Sequence, residues 1–270
     1  MTKPFKRILF TGAAGGLGLR LREHLHAFAD IVRLSDLNDF GPAREGEEIV
    51  LGDLGNRDDV FRMCEGVDAI LHFGGISTEE AWAPTMNANI HGMVNLYEAV
   101  HTLGIRRVVF ASSNHTVGMY KTTDRVDASM ATRPDGYYGV SKVFGESLSR
   151  FYWDRFGIET VCLRIGYCFP EPSNHRQSVL WLHLEDLVEI MRCALVTPAV
   201  GHTITFCTSD NNGKWWDNRE AAHLGYAPKH SSRVFTHLNE GRVDHAANDD
   251  ITIRYQGGAF LNNGPKYPKS

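Results

Sequence analysis

RILFTGAAGGLGLRL, residues 7–21, is the stretch on which the fold turns. Residues 7–11 form an apolar run of strand type. A glycine-rich turn follows at once, and then a pattern of helical period over about residues 17–28. Glycines stand at Gly12, Gly15 and Gly18, with two residues between neighbours. In a turn that cradles a pyrophosphate each has its own task. Gly12 permits the tight bend, Gly15 lets the backbone approach the phosphates, and Gly18 lets the helix lie against the strand. The helix N-terminus then faces the anion with free N–H groups. Gly16 and Leu17 belong to the same turn and are expected to touch the cofactor with it.

An acid at the end of the next strand, residues 30–34, strengthens the reading. Asp36 lies eighteen residues beyond Gly18, close to the spacing expected of a carboxylate on the adenosine ribose. A carboxylate there accepts from the ribose hydroxyls and repels a 2′-phosphate. Arg33 is an odd number of residues earlier, so strand alternation sends it to the opposite face. NAD is therefore expected rather than NADP. Asp53, with Leu54 beside it at the end of a third, weak strand over residues 48–52, is expected at the adenine edge.

Strand-like and helix-like segments keep alternating. A helix is expected over residues 57–65, a strand over 68–73, a long helix over 84–103 stopped by Gly104, a strand over 107–112, a helix over 138–156 and a strand over 160–165. Continuous apolar strands between helices mean a parallel sheet covered on both faces. The fold class is α/β, a doubly wound Rossmann-type sheet, with residues 1–165 as the NAD-binding domain. Beyond it Pro170 and Pro172 mark a loop, and residues 183–195, 202–207 and 214–224 read as helix, strand and helix. Residues 166–270 are expected to form a small substrate-binding cap and tail packed on the same domain.

Composition narrows the class. The chain has 270 residues, is 43% hydrophobic and carries a formal net charge of −4, which argues against nucleic acid or an anionic membrane as partner. The five cysteines include no Cys-x-x-Cys pair, so buried thiols in a reducing compartment are expected, with no disulfide frame and no metal site. The N-terminus lacks the apolar core of a signal peptide, and a cytoplasmic location is expected. The Asn114-His115-Thr116 sequon is read as accidental.

GYYGVSK, residues 136–142, offers two tyrosines and a lysine. Tyr138 and Lys142 are four apart and share one helix face, whereas Tyr137 points elsewhere. Lowering a tyrosine by ~3 pKa units to act as a base requires about 4 kcal/mol. A neighbouring ammonium and a positive nicotinamide ring are the expected sources. Ser113, at the carboxyl end of the strand RVVFASS, is placed to hydrogen-bond a reacting hydroxyl.

TGAAGGLG, FASSNHT and YGVSK together resemble the extended short-chain dehydrogenase/reductase family. The resemblance implies Tyr138 as base, Lys142 as its activator and ribose contact, and Ser113 as the residue that orients the hydroxyl. Asn89, in NANIHG, resembles that family's asparagine on the helix behind the site. LHFGGIS, RPDGYYGVSK, RIGYCFPEP, WWDN and YQGGAF extend the resemblance over nearly the whole chain to the uronate dehydrogenases, which oxidise C1 of a cyclic hexuronate with NAD and release the aldarolactone. By that resemblance Ser77, Asn114 and His115 line the sugar, and Arg176 pairs with the charged group at C6. A guanidinium fork suits such an oxyanion.

The chain departs from that pattern where the C6 substituent is read. Tyr167 stands in RIGY where those enzymes read RIGS, and the sequence from Gln177 onward differs and adds His183. A hexuronate is expected, with a sulfonated sugar (sulfoquinovose) as the competing acidic substrate and Tyr167 as a contact. The alternatives are a sugar epimerase or dehydratase using NAD transiently, separable by net NADH production, and a non-catalytic NAD-binding protein. The resemblance also implies a homo-oligomer.

Overall fold

In the computed structural model the first strand, β1 (Phe5–Thr11), runs through the glycine turn into α1 (Gly16–Leu21), and β2 (Ala29–Ser35) and β3 (Glu47–Ile49) follow. Next come α2 (Arg57–Cys64), β4 (Ala69–His72), α3 (Trp82–Thr85), α4 (Gly92–Thr102) and β5 (Arg107–Ser113). The chain continues through α5 (Tyr137–Phe156), β6 (Glu159–Ile165), α6 (His175–Leu180), α7 (Leu184–Val196), β7 (His202–Cys207) and α8 (Ile251–Arg254). The structure describes residues 3–235 and 249–266.

The seven strands among the described residues pair in parallel, in the order β3-β2-β1-β4-β5-β6-β7. The order reverses between β1 and β4, and the carboxyl ends of the strands around that point open a crevice where an α/β sheet places its ligand. Register brings Thr11 beside Ser35 on one side and His72 on the other, and Ser113 beside Ile165.

Alternation along the strands feeds two cores. Ile8, Phe10, Val32, Leu71, Val109 and Leu163 pack with Leu25, Leu187 and Ile190 on one face. Leu9, Ile70, Val108, Phe110 and Cys162 pack with Val60, Leu96 and Val100 on the other. Burial of both faces is why the strands read as continuous apolar runs. The seventh strand comes from the segment after residue 165, which also contributes Val179, Leu180, Phe206, Trp215 and Trp216 to a third cluster. All five cysteines are free and buried, and no helix among the described residues is long and apolar enough to cross a membrane.

Several elements differ from the periodicity. The helix expected over 17–28 is α-helical only to Leu21 and tightens to 3-10 turns over Arg22–Ala27, where Arg22 turns inward to pair with Glu47. The helix expected over 84–103 widens to π turns over Met86–His91. There the Asn89 amide leaves the helix to bind both the N–H and the carbonyl of Ile76 and the Ser141 hydroxyl. No helix forms over 214–218. Trp215 and Trp216 are both buried in one cluster, and Val126 donates to the Trp215 carbonyl and accepts from Asp217 N in a bridge beside Trp216. Only Arg219–Leu224 coils, as 3-10 turns. Conversely, part of the expected loop after Pro172 is α6, capped by Asn174, whose side chain accepts from Gln177 N.

Candidate active site

The crevice at the switch point is a cavity of about 1110 Å³. Its floor begins with the glycine turn, whose geometry the side chains explain. Gly12 has φ +84°, and a Cβ there would lie 2.7 Å from the Phe73 carbonyl. A Cβ on Gly18 would collide with the Gly12 carbonyl oxygen, while at Gly16 it would meet nothing within 4 Å. The turn is thus tight behind and open in front, the shape a pyrophosphate requires. Gly12 and Ala13 N–H groups donate to the Ser35 carbonyl, which ties the turn to β2.

Asp36 sits at that junction. Its carboxylate accepts from Ala14 N at 3.0 Å and Asn38 N at 3.1 Å, and it lines the cavity. Arg33 is drawn to the other side by Glu48 and the Met63 and Glu65 carbonyls, as alternation requires. Asp53 also lines the cavity, with one carboxylate oxygen accepting from Gly55 N in an Asx turn. The cap of α2 is Asn56. These residues fit a dinucleotide with free ribose hydroxyls.

On the far side, Ser113 ends β5 and Tyr138 begins α5. Both are buried, 4% and 7% exposed, and the serine hydroxyl accepts from His115 N at 3.2 Å. Burial pushes Tyr138 up to about 12; Ser113 pulls it back and Asp135 adds to the rise. Lys142, one turn further on, donates from Nζ to the Ala111 carbonyl at 2.8 Å and stands 5.6 Å from the centre of the Tyr138 ring. Burial pushes it down to about 8. Tyr137 is outside the cavity, its ring tilted against Trp82 at 5.3 Å.

Past Tyr138 the cavity widens toward Ser77, Asn114, His115, Tyr167 and Arg176. Orienting the Asn114 amide by its neighbours lets it donate to the Ile165 carbonyl at 3.1 Å and accept from Arg176 Nη2 at 3.3 Å. Arg176 Nε donates to the Gln256 carbonyl at 2.7 Å. Burial lowers this guanidinium to about 10 although Asp135 favours its charge, so a cation is held half-buried in the cavity wall. The Tyr167 ring stacks on Phe169 with centroids 4.8 Å apart. His183 lies away from the cavity, capping α7 and stacking on His230 at 3.6 Å. Asn89 is behind Lys142, beside His72 and Ser141.

The cavity thus gathers the glycine turn, both aspartates, Leu54, the Ser113–Tyr138–Lys142 set and the sugar residues expected from the sequence. It adds others that sequence reasoning did not name. Phe260 stacks on His115 at 3.7 Å, and Arg20 also lines the wall, as does Gln177, at which the sequence departs from the uronate dehydrogenase pattern. Glu79, buried outside it, accepts from the N–H groups of Tyr137 and Tyr138 at 2.9 and 3.0 Å and so caps α5. YQGGAF carries Phe260 and was legible as a motif; Glu79 lies 58 residues before Tyr137 and has no local signal.

Residues 8–179 match the family described as the NAD dependent epimerase/dehydratase family. A uronate dehydrogenase of Pseudomonas putida is 51% identical over 265 residues, which cover 98% of this chain and 98% of that one. Among solved structures, the glucuronic acid dehydrogenase from Chromohalobacter salexigens is 44% identical with a TM-score of 0.92, covering 96% of this chain and 98% of its own. A mutant uronate dehydrogenase from Agrobacterium tumefaciens complexed with NAD is 42% identical with a TM-score of 0.92, covering 98% of this chain and 99% of its own.

Proposed function

The chain belongs to the NAD dependent epimerase/dehydratase family, and from that premise we propose that it is an NAD-dependent oxidoreductase that converts a cyclic hexuronate to its aldarolactone by oxidation at C1. Full-length identity to uronate dehydrogenases supports the substrate class. The observation that carries the reading is the meeting, in one cavity, of the phosphate-cradling turn, the Tyr138–Lys142 face and a half-buried arginine whose Nε is held by the Gln256 carbonyl.

Gly12, Gly15, Gly16, Leu17 and Gly18 hold the pyrophosphate, Asp36 the adenosine ribose, and Asp53 with Leu54 the adenine edge. NAD, when bound, supplies the hydride acceptor for C1. Tyr138 takes the proton of the anomeric hydroxyl, and Ser113 donates to that oxygen and fixes its direction. Bringing a phenol from about 12 to an operating pH near ~8 requires about 5 kcal/mol of added phenolate stabilisation. Lys142 supplies part of it as an ammonium and also holds the nicotinamide ribose. Arg176 pairs with the substrate carboxylate, a charge-assisted contact strengthened where the cavity wall screens it from water. Ser77, Asn114, His115 and Tyr167 line the sugar; of residues 166–270, β7 and α7 belong to the sheet and its core rather than to a cap, and Tyr167, Arg176 and Phe260 are the ones that close the site.

NADH formation by the purified protein with glucuronate, galacturonate, sulfoquinovose and glucose tests the proposal. Rapid net NADH production with the uronates and little with glucose is the expected result. Equal rates with neutral and acidic hexoses would overturn the role of Arg176. Sulfoquinovose outpacing both uronates would reassign the substrate, and no net NADH with any sugar would favour an epimerase.

A further inference from the structure

Asp135 stands just before the glycine that opens α5, with its side chain 1% exposed. Its Oδ2 lies 2.7 Å from His115 Nδ1. Three segments leave room for it through glycines. A Cβ on Gly118 or on Gly257 would collide with this carboxylate, and one on Gly139 would come within 3.2 Å of Oδ1. The other oxygen, Oδ1, is buried and accepts from no donor among the described residues. A carboxylate serving only to tie the loops together would have both oxygens satisfied. This one has a single directed contact, to a residue of the cavity wall.

We infer that Asp135 is a positioning residue of the sugar site, holding His115 in the tautomer that presents Nε2 to a substrate hydroxyl as an acceptor. The inference rests on the reading above that an acidic pyranose lies against His115. A carboxylate only accepts, so His115 Nδ1 carries the proton, and in the neutral ring Nε2 is left with its lone pair. The ring cannot tilt out of this arrangement easily. Phe260 covers its face at 3.7 Å and the Tyr138 ring meets it edge-on at 5.8 Å. Ring plane, rotation and tautomer are then all fixed before the sugar enters. Asparagine at position 135 has the same shape but carries an NH₂ group. The amide has no charge to hold the proton on Nδ1, and with its NH₂ turned to the ring it donates to Nδ1, moves the proton to Nε2 and turns the acceptor into a donor. The lost negative charge beside Arg176 acts the opposite way, favouring an anionic substrate, so weakened binding in this variant reports on His115 rather than on charge.

Asp135→Asn is expected to raise KM for glucuronate by about fivefold to a hundredfold, the range for a mismatched buried hydrogen bond. kcat should fall by less, and NAD affinity should stay within about twofold of wild type. In a His115→Ala background the same substitution should change KM by less than about twofold, because the ring it holds is gone. An unchanged KM in the single variant, or equal effects in both backgrounds, would overturn the inference. Nitrogen NMR of histidine-labelled wild-type protein, with His115 assigned by loss of its signals in His115→Ala, covers the case of a variant that does not fold. A protonated Nδ1 is expected, and a neutral ring protonated at Nε2 would overturn the inference. The NMR result stands apart from turnover, so failure to oxidise any uronate would sink the functional reading and leave the role of Asp135 separately decided.

Discussion

Replacing Lys142 with methionine removes a charge and little volume, and so isolates the lysine's electrostatic part in activating Tyr138. Nζ lies 5.6 Å from the centre of the phenol ring. At an effective dielectric of ~20, unit charges at that distance interact by ~3 kcal/mol, equivalent to ~2 pKa units. The ammonium favours the phenolate, so its loss raises the pKa of the base. The acid limb of the pH–rate profile should therefore move up by ~2 pH units in Lys142→Met. Burial pushes the lysine itself down to about 8, so its help to Tyr138 is complete below that pH and fades above it. The assay is kcat/KM for galacturonate, followed as NADH from about pH 6 to about pH 10 in both proteins, with NAD affinity measured alongside. An acid limb that stays in place, with activity lost only in proportion to NAD affinity, would refute the electrostatic role and leave Lys142 as a ribose contact alone.

Gly18→Ala places a Cβ against the Gly12 carbonyl, so calorimetry should find NAD binding weakened by tenfold or more, ~1.4 kcal/mol; unchanged affinity would contradict the close helix–turn packing. Glu79→Gln replaces one of the two acceptors for the Tyr137 and Tyr138 N–H groups with an amide donor. That loss of about 1.5–3 kcal/mol should lower Tm by about 3–12 °C in a scanning calorimeter and reduce kcat, because the same N-terminus carries the base. Burial raises Glu47, but Arg22, Arg44 N–H and His26 outweigh it and hold the carboxyl at about 2 against an ordinary 4.5. A depressed folded pKa stabilises above the unfolded value and is lost as pH falls toward the folded one. Glu47→Gln should thus cost about 3 kcal/mol at neutral pH and remove the step in stability between pH 4.5 and about 2, read from urea melts at stepped pH.

What was legible in the sequence was local. Strand alternation put Arg33 and Asp36 on different sides, and the structure has Arg33 on Glu48 and Asp36 on the glycine turn. The four-residue spacing separated Tyr138, in the cavity, from Tyr137, against Trp82. Long-range partners were not legible. Glu79 reaches α5, and Asp135 reaches His115, only because the chain returns in three dimensions. Where a tertiary contact competes with period, period loses. Asn89 widens a helix to satisfy Ile76 and Ser141, and over 214–218 the Trp215 carbonyl and the Asp217 N–H are both taken by Val126 instead of by helix turns. The end of the cavity that reads the acidic group was the least legible, since Arg176 lies on a six-residue helix inside an expected loop and is held by the Gln256 carbonyl from the tail.

The central claim is that Tyr138, not its neighbour, is the base in NAD-dependent oxidation of a hexuronate. NADH production from galacturonate by wild type, Tyr138→Phe and Tyr137→Phe, measured beside NAD affinity, tests it most directly. Turnover is expected in wild type, turnover within a few-fold of it in Tyr137→Phe, and none in Tyr138→Phe although that variant still binds NAD. Turnover in Tyr138→Phe at the wild-type rate, or its loss in Tyr137→Phe alone, would contradict it.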